Sequence, residues 1–169
     1  LGDVYKRQAY DLIRQAEIFH FGTLSMTDET VREATIQAIA LAKEQGLLIS
    51  FDPNLRPPLW KSMDEAKVQI AYGLGQCDVL KISDNEIEFM TDTSDFDEGV
   101  QILMDQYPNI RLLNLTAGAD GSYSYYQGKK VFVPSYLLGG TVDTTGAGDT
   151  FCGSVSVSYT HLTLPTILR

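Results

Sequence analysis

The stretch DTTGAGDTF, at residues 143–151, places a carboxylate beside two glycines at the start of a predicted helix. Glycines let a backbone approach a ligand closely, and a helix N-terminus offers free N–H groups and a positive dipole end that suit an anion. Asp149 is therefore a candidate base for an attacking hydroxyl. The N–H groups before it would stabilise charge on a phosphoryl group in transit; they belong to Gly146, Ala147 and Gly148. The alternative is an aspartate that only complements the helix dipole, which contributes about 0.3–1 kcal/mol.

This motif differs from the two best-known phosphate-binding loops. Asp149 and Thr150 stand where a P-loop carries its Lys and its Ser or Thr. The dinucleotide-binding fingerprint needs a third glycine, and the sequence has no Gly-x-Gly-x-x-Gly turn after its first predicted strand. Both observations weigh against a P-loop enzyme and against a nicotinamide-cofactor enzyme.

A second candidate site lies in the segment FDPNLRPPLW, where Asp52, Asn54 and Arg56 occupy alternate positions after an apolar run. Extended geometry would place these three side chains on one face. The guanidinium of Arg56 could then bind a phosphoryl oxygen or a sugar hydroxyl through two hydrogen bonds. The alternative is an Asp-Pro turn stabilised by an Arg–Asp ion pair, and the residues alone leave both interpretations open.

Two further segments place candidate residues directly after predicted strands. In KISDNEIEF, Glu86 stands in the first turn of a short predicted helix, where a carboxylate complements the dipole, and Glu88 is predicted to face solvent. In LTAGADGSY, a turn between a strand and a hairpin contains Thr116, Gly118 and Gly121. By themselves these residues are compatible with purely structural roles.

The elements that must position these residues alternate along the chain. Continuous apolar runs predict strands, and three- and four-residue spacings predict helices. Strand–helix–strand alternation implies right-handed βαβ units in a mostly parallel sheet, in which ligands gather at the carboxyl ends of the strands. The predicted strands are 17–22, 47–52, 78–83 and 110–116, the predicted helices are 27–45, 62–74, 84–91 and 94–106, a hairpin flanks Gly128, and a last helix starts near Gly146.

Helix boundaries and a few isolated residues also give specific expectations. The first helix has its apolar residues at Val31, Ala34, Ala38, Leu41 and Ala42. Capping patterns predict that Ser62 with Glu65 starts the second helix, and that Ser94 caps the fourth. His20, within an apolar run, is predicted to be a core histidine, and Cys77 and Cys152 to pack as small apolar residues.

Composition narrows the classes of partner. The formal net charge of −9 disfavours non-specific binding to nucleic acid or to an anionic membrane surface. No apolar run approaches the roughly 18 residues of a membrane helix, no signal pattern is visible, and two cysteines without metal-ligand spacing suggest no disulfide framework. We therefore expect a soluble cytoplasmic protein without nucleic-acid or membrane partners.

Both ends of the chain fit poorly with the sequence between them. LGDVYKRQ at residues 1–8 and the stretch at 155–169 resemble peptides translated from sequencing-adapter DNA. We expect both to be non-native tails, so that His161 and Pro165 carry no function. The folded portion is then residues 9–154.

The motifs together resemble the PfkB, or ribokinase-like, family of carbohydrate kinases, and fructokinases most. DTTGAGDTFCG is similar to the second signature of that family, which implies that Asp149 is the catalytic base and that the backbone of residues 146–148 forms the anion hole. DPNLR resembles a fructokinase segment at the edge of the site, which implies substrate or phosphate binding by Asp52, Asn54 and Arg56.

The same resemblance implies roles for the other candidates. The family shows Asn-x-x-Glu where this chain has Ser83 and Glu86, and its glutamate helps to organise Mg²⁺ and phosphate. The family's Thr-x-Gly-x-x-Gly turn lies against ATP and matches Thr116, Gly118 and Gly121. The implied cofactors are ATP and Mg²⁺, with the need for a monovalent cation left open.

The resemblance covers roughly residues 10–154 and implies an α/β fold: part of a three-layer α/β/α sandwich with a mostly parallel sheet and a β-hairpin. Residues 9–154 would be the C-terminal part of a kinase domain, inactive alone, from a protein that phosphorylates fructose and can form a homodimer. The alternatives are kinases for 2-keto-3-deoxygluconate, ribose, a nucleoside or a sugar phosphate, and a non-catalytic binding or assembly module.

Overall fold

The computed structural model of the chain describes residues 10–136, 139 and 143–162, with side chains up to residue 158. It divides into two compact units, one ending at Ser135 and the other beginning at Tyr136. Of the two expected tails, residues 1–8 and 163–169 lie outside the described residues, and residues 155–162 continue a helix. The non-native origin of both tails therefore stays a prediction.

A single mostly parallel sheet organises the first unit. Its strands follow one another in space in chain order. The first four pair in parallel and the last two form an antiparallel hairpin, as the sequence predicts. The strands in the described part of the chain are β1 (Ile18–Gly22), β2 (Leu48–Asp52), β3 (Val79–Ser83), β4 (Leu112–Thr116), β5 (Gly121–Tyr126) and β6 (Lys129–Pro134).

Helices connect the parallel strands and follow the hairpin, which confirms the predicted α/β alternation. A short helical segment at residues 10–14 precedes β1, and 3-10 turns at Thr23–Met26 and Pro57–Leu59 follow β1 and β2. No helix among the described residues has the length and apolarity needed to span a bilayer. The longer helices are α1 (Glu29–Glu44), α2 (Met63–Leu74), α3 (Asp84–Thr91), α4 (Phe96–Gln106) and α5 (Ala147–Leu162).

Side-chain caps set the starts of α1, α2 and α4, although not always as predicted. Ser62 accepts a hydrogen bond from the Glu65 N–H at 3.1 Å, as expected. The Glu65 carboxylate, however, pairs with Arg32 at 2.5 Å and ties α2 to α1. The predicted cap of α4 was one residue early, because Asp95 rather than Ser94 accepts from the first turn, at 2.9 Å from the Glu98 N–H.

The buried stripe of α1 shares Ala42 with the predicted apolar one and otherwise differs from it. Val31 is 48% exposed, whereas the buried residues of the helix are Thr35, Ile39 and Ala42. Both sets of residues have helical spacing, so the sequence pattern alone did not distinguish them. In the structure Ile39 is part of the core and Ile36 packs against it.

The two faces of the sheet differ in composition. Paired positions of neighbouring strands share a face. One face is apolar and includes Phe21, Phe51, Leu80, Ile82, Leu113 and Leu115. The other, which we call the polar face, carries the buried apolar residues Leu48 and Val79 together with polar side chains, which are His20, Ser50, Asp52, Lys81, Asn114 and Ser124.

Hydrogen bonds run across the strands on the polar face. His20 Nδ1 lies 3.0 Å from Ser50 Oγ, and Ser124 Oγ donates to Asn114 Oδ1 at 2.7 Å. His20 is exposed, so its prediction as a core histidine was wrong: it sits on the first strand of the sheet with its ring on the polar side.

The cysteines, in contrast, are buried as predicted, and burial raises the pKa of Cys77 to about 12.

Packing of α2 on the apolar face depends on Gly73. A methyl group added there would overlap with the ring of Phe51, which is fully buried.

We expect Gly73→Ala to lower the free energy of unfolding by about 1–3 kcal/mol through overpacking, measured by thermal unfolding of the protein expressed from its complete gene. Gly75→Ala is the control, because its methyl would lie 3.5 Å from the nearest atom. Equal losses for the two variants would contradict this account.

Candidate functional site

The parallel strands of the first unit end at a common edge. Gly22 and Asp52 are paired final residues of β1 and β2, and Ser83 and Thr116 are paired final residues of β3 and β4. Carboxyl ends of parallel strands are where ligands bind in such sheets. The structure therefore places the segments predicted to follow strands along one edge.

The loop after β2 does not continue the strand. Asn54 adopts the left-handed region with φ +46°, a conformation that Asn tolerates better than most residues. This turn breaks the alternation that would have placed Asp52, Asn54 and Arg56 on one face, so that prediction was wrong. Asp52 is 4% exposed and Arg56 is exposed, with Nη1 donating to the Leu55 carbonyl at 3.3 Å.

Asp52 forms a buried ion pair with Lys81. Its Oδ1 accepts from Lys81 Nζ at 3.1 Å and from the Asn54 N–H at 3.1 Å, and the two side chains are 5% and 12% exposed. Burial raises the pKa of Asp52, the charge of Lys81 opposes that rise, and the charge of Glu86 adds to it. The signal for Lys81 in the sequence is a single cation between the apolar residues Leu80 and Ile82, and no role was predicted for it.

Glu86 joins the same loop to the start of α3. Its Oε1 accepts from the Leu55 N–H at 2.7 Å and its Oε2 accepts from the Ser83 N–H at 2.9 Å, while the residue is 6% exposed. This carboxylate therefore does more than complement a helix dipole. Glu88, two residues later, is exposed as predicted.

These contacts leave Glu86 able to help bind a metal ion. Each Glu86 oxygen accepts one backbone N–H, which leaves lone pairs on both oxygens for a water molecule or a cation. Within the described residues no three His, Cys, Asp or Glu side chains are grouped as metal ligands would be. Mg²⁺ usually keeps several waters and binds through one or two carboxylates and substrate phosphates, so Glu86 could hold it beside a phosphorylated ligand.

The turn after β4 contains two glycines, Gly118 and Gly121, whose surroundings differ. Both have positive φ, +52° at Gly118 and +133° at Gly121. A methyl group at Gly121 would collide with the backbone of Val133 and Pro134 in β6, whereas one at Gly118 would meet nothing within 4 Å. Gly121 is therefore required by the hairpin, and Gly118 leaves room for a ligand beside the backbone.

In the second unit the glycine turn leads directly into α5, as predicted. Gly146 has φ +77°, and Asp149 lies exposed in the first turn of the helix. Asp143 Oδ1 accepts from the Thr145 N–H at 2.8 Å and from its hydroxyl at 2.8 Å, which lowers the pKa of Asp143. The Ala147 N–H donates to the Thr144 carbonyl at 3.1 Å, so an anion at this turn would share that donor or displace the bond.

The structure thus brings some candidates together and describes others separately. The loop after β2, which contains Asn54, is hydrogen-bonded to the carboxylates of Asp52 and Glu86. Thr116 ends the strand beside the one that ends at Ser83. Asp149 and its glycine turn belong to the second unit.

Comparison with known proteins gives a consistent result. Residues 3–168 match the family described as "pfkB family carbohydrate kinase". Fructokinase-2 of Solanum lycopersicum is 44% identical over 145 residues, which are 86% of this chain and 44% of that relative. The chain therefore spans less than half the length of this relative.

Solved structures share the fold over most of the chain. Fructokinase from Vibrio cholerae O395 in fructose, ADP and calcium ion bound form superposes with a TM-score of 0.77 at 33% identity, over 84% of this chain and 45% of that one. Aminoimidazole riboside kinase from Salmonella enterica, complexed with aminoimidazole riboside and an ATP analog, gives 0.77 at 29% identity, over 88% and 49%. The predicted partial ribokinase-like fold is confirmed.

The two backbone contacts of Glu86 give a stability prediction. Glu86→Gln places an amide NH₂ against one of two backbone N–H donors that are part-buried, so that donor loses its acceptor. We expect a loss of about 1–3 kcal/mol in the free energy of unfolding, measured by chemical denaturation. Glu88→Gln is the same change at an exposed position of the same helix and should stay within about 0.5 kcal/mol of the wild type. Similar values for both would mean that the carboxylate contacts are dispensable.

Proposed function

The chain belongs to the pfkB family of carbohydrate kinases, and from this premise we propose that the complete protein transfers the γ-phosphoryl group of ATP to a hydroxyl of fructose. The observation that carries the proposal is Asp149 in the first turn of α5, directly after the glycine turn at Gly146. A carboxylate at this position is suited to receive a proton, and a helix N-terminus is suited to bind an anion.

In the proposed reaction Asp149 accepts the proton of the sugar hydroxyl as its oxygen attacks the γ-phosphorus. A new oxygen–phosphorus bond forms, the bond from the γ-phosphorus to the bridging oxygen breaks, and ADP leaves with that electron pair. N–H groups of residues 146–148 would stabilise the negative charge on the transferring group. A positioned base contributes roughly 10²–10⁴ in rate.

We also propose ligand-binding roles for residues at the strand edge of the first unit. We assign the turn that contains Thr116, Gly118 and Gly121 to the nucleotide, because a ligand can approach the backbone at Gly118. The exposed guanidinium of Arg56 would bind a phosphoryl oxygen or a sugar hydroxyl. Mg²⁺, when bound, would neutralise phosphate charge, with Glu86 acting on it through water.

Fructose is proposed over other sugars because of sequence rather than shape. The two kinases compared above act on different compounds and give the same TM-score, so overall shape does not discriminate between them. Identity is higher to the fructokinase, 33% against 29%, and reaches 44% with a plant fructokinase. A second candidate is therefore a kinase for a nucleoside-like riboside, supported by the 29% relative.

The proposal is tested by ADP release from the protein expressed from its complete gene, with Mg-ATP and one sugar at a time. The panel is fructose, ribose, 2-keto-3-deoxygluconate, aminoimidazole riboside, adenosine and fructose 6-phosphate. We expect release with fructose. Release with another member alone would retain phosphoryl transfer and replace the substrate, and no release with any member would count against kinase activity.

Asp149→Asn tests the base. We expect turnover to fall by roughly 10²–10⁴, while ADP affinity, measured by calorimetry, is retained because the backbone N–H groups are unchanged. Asp105→Asn, at an exposed position of α4, is the control and should leave turnover unaltered. Wild-type turnover in Asp149→Asn would show that another group takes the proton.

The two glycines of the turn after β4 should differ in their effect on nucleotide binding. Gly118→Ala is expected to raise the KM for ATP about tenfold, equivalent to about 1.4 kcal/mol of binding free energy, because the methyl occupies the space left for the ligand. It should also lower the Tm, because alanine is strained at φ +52°. Gly121→Ala should mainly lower the Tm, since its methyl collides with β6. An unchanged KM for ATP in Gly118→Ala would remove this turn from the nucleotide site.

A further inference from the structure

The loop after β2 is held by hydrogen bonds to buried carboxylates as well as by packing of Leu55 against the core. Its first N–H groups, from Asn54 and Leu55, donate to the carboxylates of Asp52 and Glu86 at 3.1 and 2.7 Å. The hydroxyl of the fully buried Thr23 donates to the carbonyl of Pro53 at 2.5 Å. The loop therefore keeps its left-handed residue because its polar backbone groups have fixed partners.

Two carboxylates buried around one loop repel each other unless a cation offsets their charge. Asp52 and Glu86 are 4% and 6% exposed, and the charge of Glu86 acts to raise the pKa of Asp52. Lys81 Nζ lies 3.1 Å from Asp52 Oδ1, and its side chain is 12% exposed. Its position in β3, on the same face of the sheet as Asp52, brings the ammonium group to the carboxylate.

The residue that this arrangement presents to solvent is Arg56. It follows the held loop directly and begins the 3-10 turn at Pro57–Leu59. The guanidinium of Arg56 is exposed, whereas the Asp52 carboxylate is paired with Lys81 and with the Asn54 N–H. Moving the loop would move the group that we assign to substrate binding.

We propose that Lys81 is a positioning residue of the kinase reaction: its ammonium group holds the buried Asp52 carboxylate and, through it, the loop that carries Arg56. This inference rests on the proposed function. Lys81 acts through Asp52 and contacts no reactant. Its loss is expected to displace Arg56 while leaving the nucleotide turn after β4 in place.

The experiment compares steady-state kinetics of four variants of the complete protein with the wild type, each well below its own Tm. Lys81→Met removes the positive charge, and Lys81→Arg keeps it. The double variant Asp52→Asn/Lys81→Met, which we call the neutral pair, removes both charges and serves if Lys81→Met alone does not fold. Lys67→Met is the matched control, since Lys67 pairs with Asp92 at 3.4 Å on the surface.

We expect Lys81→Met and the neutral pair to lose roughly ten- to a hundredfold in kcat/KM for the sugar, as small misplacements of a positioning group do. For both variants the KM for ATP should stay within about threefold of the wild type. Lys81→Arg should recover most of the loss, and Lys67→Met should match the wild type. A purely structural lysine would lower the Tm of Lys81→Met and leave the kinetics of the folded neutral pair unchanged.

A double-mutant cycle with Arg56→Ala identifies the route of the effect. If Lys81 acts through Arg56, then Lys81→Met should cause no further loss of kcat/KM in the Arg56→Ala background. Additive losses would overturn the proposal, as would a folded neutral pair with wild-type kinetics. A wild-type protein that phosphorylates no sugar of the panel would refute the proposed function itself, and the positioning role would fall with it.

Discussion

The structure of the strand edge depends on one constraint: the backbone N–H groups of the loop after β2 need hydrogen-bond acceptors. A loop at the end of a buried strand has no neighbouring strand to accept its hydrogen bonds, and an unpaired N–H there is costly. This chain meets the requirement with Asp52 and Glu86, which accept from the loop at 3.1 and 2.7 Å. Burial of two carboxylates then requires a cation, and Lys81 supplies it from the adjacent strand.

The ion pair of Asp52 and Lys81 lies on the polar face of the sheet. Side chains alternate along each strand, so residues two positions apart lie on the same face. Ser50 precedes Asp52 in this way and is hydrogen-bonded to His20. The apolar face meanwhile retains the aromatic stack of Phe21 and Phe51, whose ring centroids lie 4.6 Å apart. The aromatic stack and the ion pair of Asp52 and Lys81 thus lie on opposite faces of the same sheet.

Some glycines of this chain are needed for folding, whereas others leave space beside the backbone for a ligand. Gly73 and Gly121 are positions where a methyl group would overlap with neighbouring atoms, so folding alone requires them. Gly118 and Gly146 have positive φ and open space around them, which is what a backbone that approaches a ligand needs. The sequence motifs contain Gly118, Gly121 and Gly146 alike, and only the positions of surrounding atoms separate the two groups.

The sequence by itself determined the order of strands and helices, the hairpin at Gly128, the start of the last helix near Gly146 and the family. These depend on local periodicity, on turn residues and on short motifs, all of which are contained within a few neighbouring residues. It could not decide the buried stripe of α1, the exposure of His20 or the break in the strand at Asn54. Nor did it identify Lys81 as the partner of Asp52, which lies 29 residues earlier in the chain. Such contacts are set when β2 and β3 pair in one register, because pairing alone decides which side chains from distant segments share a face.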